Sequence, residues 1–217
     1  MKLSFKAASF CIYPVLSSNV WFYDLIVRIS SYDVERIKEV GPDRAAAEWV
    51  VRCGGAVKFD KIDNLFSDYN ALIKRCAELD PRVPADNVKI THIHAIDASV
   101  SGYGCRHFSA FWKFQNNIRE FVNLEGLDGL QEVKFIRCGT LHDFGLEYMA
   151  DAVGGHLSRL EIDSCRRITE FGLIHLERCR ALKSLRLAHL KHVHGHDKVL
   201  QRLTRALPNT EISFVAH

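Results

Sequence analysis

Past Leu130 the hydrophobic positions fall into a fixed frame, Leu130-x-x-Val133-x-Phe135-x-x-Cys138-x-x-Leu141-x-x-x-Gly145-Leu146. The frame returns as Leu157-x-x-Leu160-x-Ile162-x-x-Cys165-x-x-Ile168-x-x-x-Gly172-Leu173, and again as Leu182-x-x-Leu185-x-Leu187-x-x-Leu190-x-x-Val193. Leu207 opens a shortened copy that closes on Glu211-Ile212-Ser213-Phe214. Successive copies start 27, 25 and 25 residues apart. Each alternating core, such as Leu160-x-Ile162, predicts a short strand with one buried face, and the residues after Gly-Leu predict a returning helix. In the second copy that helix is Phe171 to Arg178, with Leu173 and Leu176 on one side and Glu170 and Arg178 toward water.

A period of this length belongs to leucine-rich repeats, whose strands stack in parallel because no single copy can bury its own apolar face. The expected fold class is α/β: a short leucine-rich-repeat solenoid of about four copies over residues 86–217, preceded by a helical N-terminal domain over 20–85. Ile93-x-x-Ile96-x-Ala98 reads as an earlier, degenerate strand of the same array. Before Leu130, Phe111, Phe114, Ile118, Phe121 and Val122 recur at helical spacing and predict an inserted amphipathic helix over about 110–125, which either covers the core or docks a partner. In the N-terminal part, 20–40 reads as one or two helices, broken at Val40-Gly41-Pro42-Asp43. Asp43 is placed to cap a helix from Arg44 to Cys53, with Ala45, Ala46, Trp49 and Val50 as its apolar stripe and Gly54-Gly55 as its end. Ala56 to Phe59 reads as extended, and Asp80 to Pro84 as the hinge into the repeats.

Composition excludes more than it selects. The 217 residues are 47% hydrophobic and 25% charged, the balance of a folded globular chain. A net charge of +3 from nearly matched acids and bases lacks the footprint of a dedicated nucleic-acid binder. The seven cysteines form no C-x-x-C pair, which argues against zinc modules and disulfide scaffolds. Cys138 and Cys165 occupy the slot that Leu190 fills in the next copy, so both are expected as small buried apolar residues. Residues 1–19 carry Lys2 and Lys6, and no acid occurs before Asp24. That suits a mitochondrial presequence, although the segment has no Arg, and a weak secretory signal is the competing reading.

No nucleophile elbow, zinc-protease helix, P-loop or dinucleotide fingerprint is present, so the chain is expected not to be an enzyme. His92 and His94 precede the early strand, and His189, His192, His194 and His196 cluster after Leu187. Neutral imidazoles at such spacing can converge on a transition metal, but Lys191 and Gly195 among them favour a solvated loop. What remains is a surface. The polar strand positions Glu132, Lys134 and Arg137, then Arg159, Glu161 and Asp163, then Ser184 and Arg186 are expected to line one face and bind a protein partner. Lys134, Arg159 and Arg186 are expected to stack there as a basic column.

The stretch from Ile37 to Gly55, IKEVGPDRAAAEWVVRCGG, resembles coupling factor B, also called subunit s, of mitochondrial ATP synthase. The likeness continues through Asp68-Tyr69-Asn70, Ile96-Asp97-Ala98, Ser164-Cys165 with Ile168-Thr169, and Ala206-Leu207-Pro208, spanning about residues 20–217. The resemblance implies a helical cap on a leucine-rich solenoid, located peripherally on the matrix side of the inner membrane. It further implies an accessory protein that docks on the ATP synthase and supports proton-coupled ATP synthesis. A sister branch assembles the distal membrane arm of respiratory complex I and is the alternative; a substrate-recognition subunit of a ubiquitin ligase is a third. The resemblance also implies a magnesium site at Glu39 and the main-chain carbonyl of Ile73, with magnesium not essential. Family members carry a reactive Cys-x-Cys pair where this chain has Ile136 and Cys138, so a thiol role falls on Cys138 alone. No nucleic acid or small-molecule substrate is expected.

Overall fold

The alternating core of every copy is a strand, and the strands pair in the order of the copies. The computed structural model describes residues 34–80, 83, 86–108 and 127–215. Among them, helices α1 (Val34–Val40) and α2 (Pro42–Arg52) meet at Gly41, whose φ of 86° turns the chain before Pro42 restarts the helix. Strands β1 (Ala56–Phe59) and β2 (Leu65–Phe66) form a hairpin, and α3 (Tyr69–Ala77) follows, capped by Asp68, whose carboxylate accepts from the Ala71 N–H at 2.7 Å. Then come β3 (Ile90–Ile96), β4 (Glu132–Ile136), α4 (Asp143–Val153), β5 (Arg159–Asp163), α5 (Glu170–Ile174) with a 3-10 extension, β6 (Ser184–Ala188), α6 (His196–Ala206) and β7 (Glu211–Val215). They build a mixed α/β fold around a seven-stranded sheet of order β2-β1-β3-β4-β5-β6-β7. From β3 onward the pairing is parallel, whereas β1 is antiparallel to both neighbours.

Register follows the apolar frame. Val133, Leu160, Leu185 and Ile212 lie side by side, as do Phe135, Ile162, Leu187 and Phe214. A slip of one residue would turn every one of these side chains to the opposite face. One slot further, Cys138, Cys165 and Leu190 are equally buried, as their interchange predicted. The two thiols add something Leu190 lacks: Cys138 Sγ donates to the Ala95 carbonyl at 3.1 Å and Cys165 Sγ to the Phe135 carbonyl at 3.4 Å. Each reaches back to the preceding copy.

The residue before that slot turns the chain out of the strand. Asp97, Arg137, Ser164 and His189 all adopt positive φ, between 51° and 55°. Their N–H groups continue the ladder, donating to the carbonyls of Ile136, Asp163, Ala188 and Val215. The Gly of each Gly-Leu has a different reason. A Cβ on Gly172 would lie 2.3 Å from Asp143 Oδ1, and Asp143 clamps the next copy by accepting from Thr169 N and Oγ1 at 2.8 and 2.6 Å.

Several expectations are corrected. The early strand is set three residues ahead of its predicted frame: Ile93 pairs with Val133 and Ala95 with Phe135, leaving Ile96 43% exposed. His92 and His94 therefore lie within β3 rather than before it. Asp43 does not cap α2; its carboxylate accepts from the Ile90 N–H at 2.8 Å and ties the helix to β3, and burial pushes its pKa up to about 6. The sheet also crosses the expected division near residue 85, since β1 and β2 join β3, and one apolar cluster runs from Ala46 to Leu207. The expected presequence, residues 20–33 and the inserted helix over about 110–125 lie outside the described residues.

Gly172→Ala is expected to destabilise the fold by about 1–3 kcal/mol, because its methyl strikes the Asp143 clamp. Gly139→Ala, where nothing lies within 4 Å, is expected to be neutral or stabilising by about 0.5 kcal/mol. Urea denaturation of the two variants checks the contrast.

Candidate docking face

With the apolar side chains turned inward, alternation sends the intervening ones to the opposite, open face of the sheet. Two polar rows cross the strands there. One runs His92, Glu132, Arg159, Ser184, Glu211; the next runs His94, Lys134, Glu161, Arg186, Ser213. The expected basic column does not form. Lys134 and Arg186 share a row, but Glu161 stands between them, and Arg159 sits two residues earlier in its copy, beside Glu132. Opposite charges thus alternate along the row.

Glu132 is the centre of the first group. It is 8% exposed, and its carboxylate accepts from Arg159 Nε at 2.5 Å and lies 2.9 Å from His94 Nε2 and 3.2 Å from Lys134 Nζ. Burial alone would raise its pKa, but the hydrogen bonds from Arg159, His94 and Lys134 overturn that and hold it near 2. His92 completes the ring, its Nε2 4.0 Å from Glu132 and 3.3 Å from Arg159 Nη2. Burial and the neighbouring Arg159 lower the His92 pKa, which favours its neutral form.

The second group is centred on Asp163 and Glu161. Arg186 pairs with Glu161 and lies 3.3 Å from Asp163, which also contacts His189 Nδ1 at 2.9 Å and accepts from Ser164 Oγ at 2.8 Å. Arg137 is not a strand-face residue: it occupies the turn after β4 and binds Asp97 through Nε and Nη2, both at 2.6 Å. The structure therefore gathers Lys134, Arg159, Glu161, Asp163 and Arg186 on one face and sets Arg137 at its rim. The sequence reading did not give Glu132 its central place, and the signal was there: His92-x-His94 alternates at strand spacing and must present both rings on one side.

The remaining candidates lie apart. Ile136 is on the open face and Cys138 in the core, where the neighbouring Cys165 and burial raise the Cys138 pKa far above the thiol range. Glu39 is exposed on α1 and already paired with Arg36 at 3.0 Å; the same guanidinium grips the buried Glu48. Ile73 is mid-helix in α3, where its carbonyl faces the amide of Ala77. Among the described residues no group of three or more His, Cys, Asp and Glu is placed to hold a metal ion, and no helix is long and apolar enough to cross a membrane.

Glu132→Gln is expected to cost about 2–3 kcal/mol at pH 7. The folded pKa lies below the unfolded one, so the stabilisation is complete above about 4.5 and is lost as the pH falls through about 2. Parent and variant should therefore converge in stability between those values, which denaturation at pH 7, 4 and 2.5 measures.

No family model matches the chain. Individual relatives do. The bovine protein named ATP synthase subunit s, mitochondrial, is 32% identical over 182 residues, covering 83% of this chain and 79% of its own length. The human protein of that name is 31% identical over the same coverage. The mouse protein is 28% identical over 214 residues, 97% of this chain and 95% of its own. With identity at that level running through most of both chains, this protein belongs to the family of ATP synthase subunit s, or coupling factor B.

Proposed function

We propose that the chain is a non-catalytic accessory subunit of the mitochondrial ATP synthase that docks through the open face of its sheet. In this reading the parallel array is a four-copy leucine-rich solenoid with a helical N-terminal cap, held peripherally on the matrix side of the inner membrane. There it supports proton-coupled ATP synthesis. The names of the relatives support the partner, and one observation carries the surface: the row Lys134, Glu161, Arg186 presents charges of alternating sign at fixed strand spacing. Such a pattern suits register-specific recognition of a protein better than attraction to a uniformly charged polymer.

Magnesium enters the proposal as an exchange site. An ion taking the Glu39 carboxylate and the Ile73 carbonyl would displace Arg36, which predicts weak binding with several retained waters. Titration calorimetry should give a small magnesium-dependent heat that Glu39→Gln abolishes.

Capture of a tagged chain from solubilised mitochondria is expected to recover ATP synthase subunits. Lys134→Glu with Arg186→Glu is expected to cut that recovery several-fold and flatten its dependence on salt; the melting temperature falls, because the new carboxylates stand beside Glu132, Glu161 and Asp163, while the far-UV circular dichroism of the folded parent is retained at the assay temperature. Recovery of complex I subunits in place of ATP synthase would replace the reading with the assembly-factor alternative. Unchanged capture by the double variant would remove the open face as the docking surface.

A further inference from the structure

The edge where the strands exit is chemically unlike the open face. On the face, every cation named above has a carboxylate partner. At the edge, the loops after β5 and β6 carry Arg166, Arg167 and Lys191, none of which pairs with a carboxylate among the described residues. They line a cleft of about 820 Å³, in which Arg137 and His189 are already engaged by Asp97 and Asp163. Arg167 Nη1 lies 2.7 Å from His142 Nε2, and burial followed by the nearby Arg167 lowers the His142 pKa. That pairing needs a neutral imidazole as acceptor, so the guanidinium keeps its whole charge.

Beside the cleft stands an aromatic ring out of place for a folded core. Phe171 is 67% exposed and shares a second depression of about 390 Å³ with Arg166 and Arg167. Phe144 holds the same position in the previous copy and is partly covered: it stacks on His142 at 5.3 Å and packs against Tyr103 at 5.1 Å. Tyr103 continues the row outward, 57% exposed, with the Arg106 guanidinium 5.7 Å from its ring centre. Two exposed aromatic rings, Tyr103 and Phe171, thus each stand beside guanidinium groups, Arg106 for the first and Arg166 and Arg167 for the second. Aromatic rings prefer the headgroup level of a bilayer, and unpaired Arg and Lys beside them are drawn to anionic lipid phosphates. An acidic peptide would satisfy the cations through charge alone, whereas a bilayer surface also takes up the Phe171 ring, 67% exposed.

We propose that the strand-exit edge docks the protein on an anionic phospholipid surface, with headgroup phosphodiesters in the cleft of Arg166, Arg167 and Lys191 and Phe171 at the acyl boundary. The inference rests on the membrane-peripheral part of the proposed function and on nothing about the protein partner.

The test is sedimentation of the purified full chain with phosphatidylcholine vesicles, with and without one part in five of phosphatidylglycerol, at low and near-physiological salt. Binding is expected only to the anionic vesicles, weakening with salt. Arg166→Glu with Lys191→Glu, two exposed side chains without described partners, is expected to reduce binding by at least about tenfold. Phe171→Ser should weaken it at both salt levels, because the ring acts through burial. Competition by inorganic phosphate separates the sources: phosphate that displaces the protein at low millimolar concentration would make the cleft a free-phosphate site and overturn the proposal. Equal binding by parent and Arg166→Glu/Lys191→Glu, equal binding to neutral vesicles, or binding to poly-glutamate with none to vesicles would each overturn it as well. Lys134→Glu with Arg186→Glu should leave vesicle binding intact. Failure on vesicles with intact mitochondrial capture sinks the lipid site alone; failure of capture with vesicle binding intact sinks the subunit reading alone.

Discussion

Parallel register is the constraint on which everything else in this protein depends. Val133, Leu160, Leu185 and Ile212 must lie abreast for the core to close, and Phe135, Ile162, Leu187 and Phe214 must do so one step further on. Once they do, the polar residues between them have no freedom of placement. Glu132 is brought beside Arg159, and Lys134 beside Glu161, because they occupy equal ranks in adjacent strands. The charge pattern of the open face is a by-product of the apolar pattern beneath it.

The same dependence explains what could be read from the chain. The frame after Leu130 was legible because its signal is local: apolar residues at fixed offsets, repeated often enough to exclude chance. The early strand was misframed by three residues because Ile90, Ile93 and Ile96 recur at that interval, so two frames fit the isoleucines equally well. Both frames also set an alanine at the rank of Phe135, Ala98 in the expected one and Ala95 in the observed one, so only the pairing with β4 separates them.

Site residues were legible as types and not as partners. Strand alternation marks Lys134, Glu161 and Arg186 as facing one side. Which of them meet is decided by pairs 25 to 40 residues apart, such as Arg186 with Glu161 and Arg137 with Asp97. Asp43 shows the same limit: its place beside a Gly-Pro turn suggested a local cap, and a contact 47 residues away claimed its carboxylate instead. The positive φ of Arg137 was invisible because nothing in an arginine signals it. Its position one before the Cys/Leu slot becomes informative only when Asp97, Ser164 and His189 are seen to share it.

The hairpin of β1 and β2 gives the array a direction. Because β1 runs against β3, no further copy of the repeat can extend the parallel ladder on that side, whereas β7 continues the polarity of every strand from β3 onward. An added copy could be accepted beyond β7, or spliced between existing copies, without disturbing α2 and its tie from Asp43 to Ile90. On the β1 side the same insertion would meet a strand of opposite sense. Lengthening by duplication is therefore one-ended, and the helix-bearing end is the fixed point from which the repeats are counted.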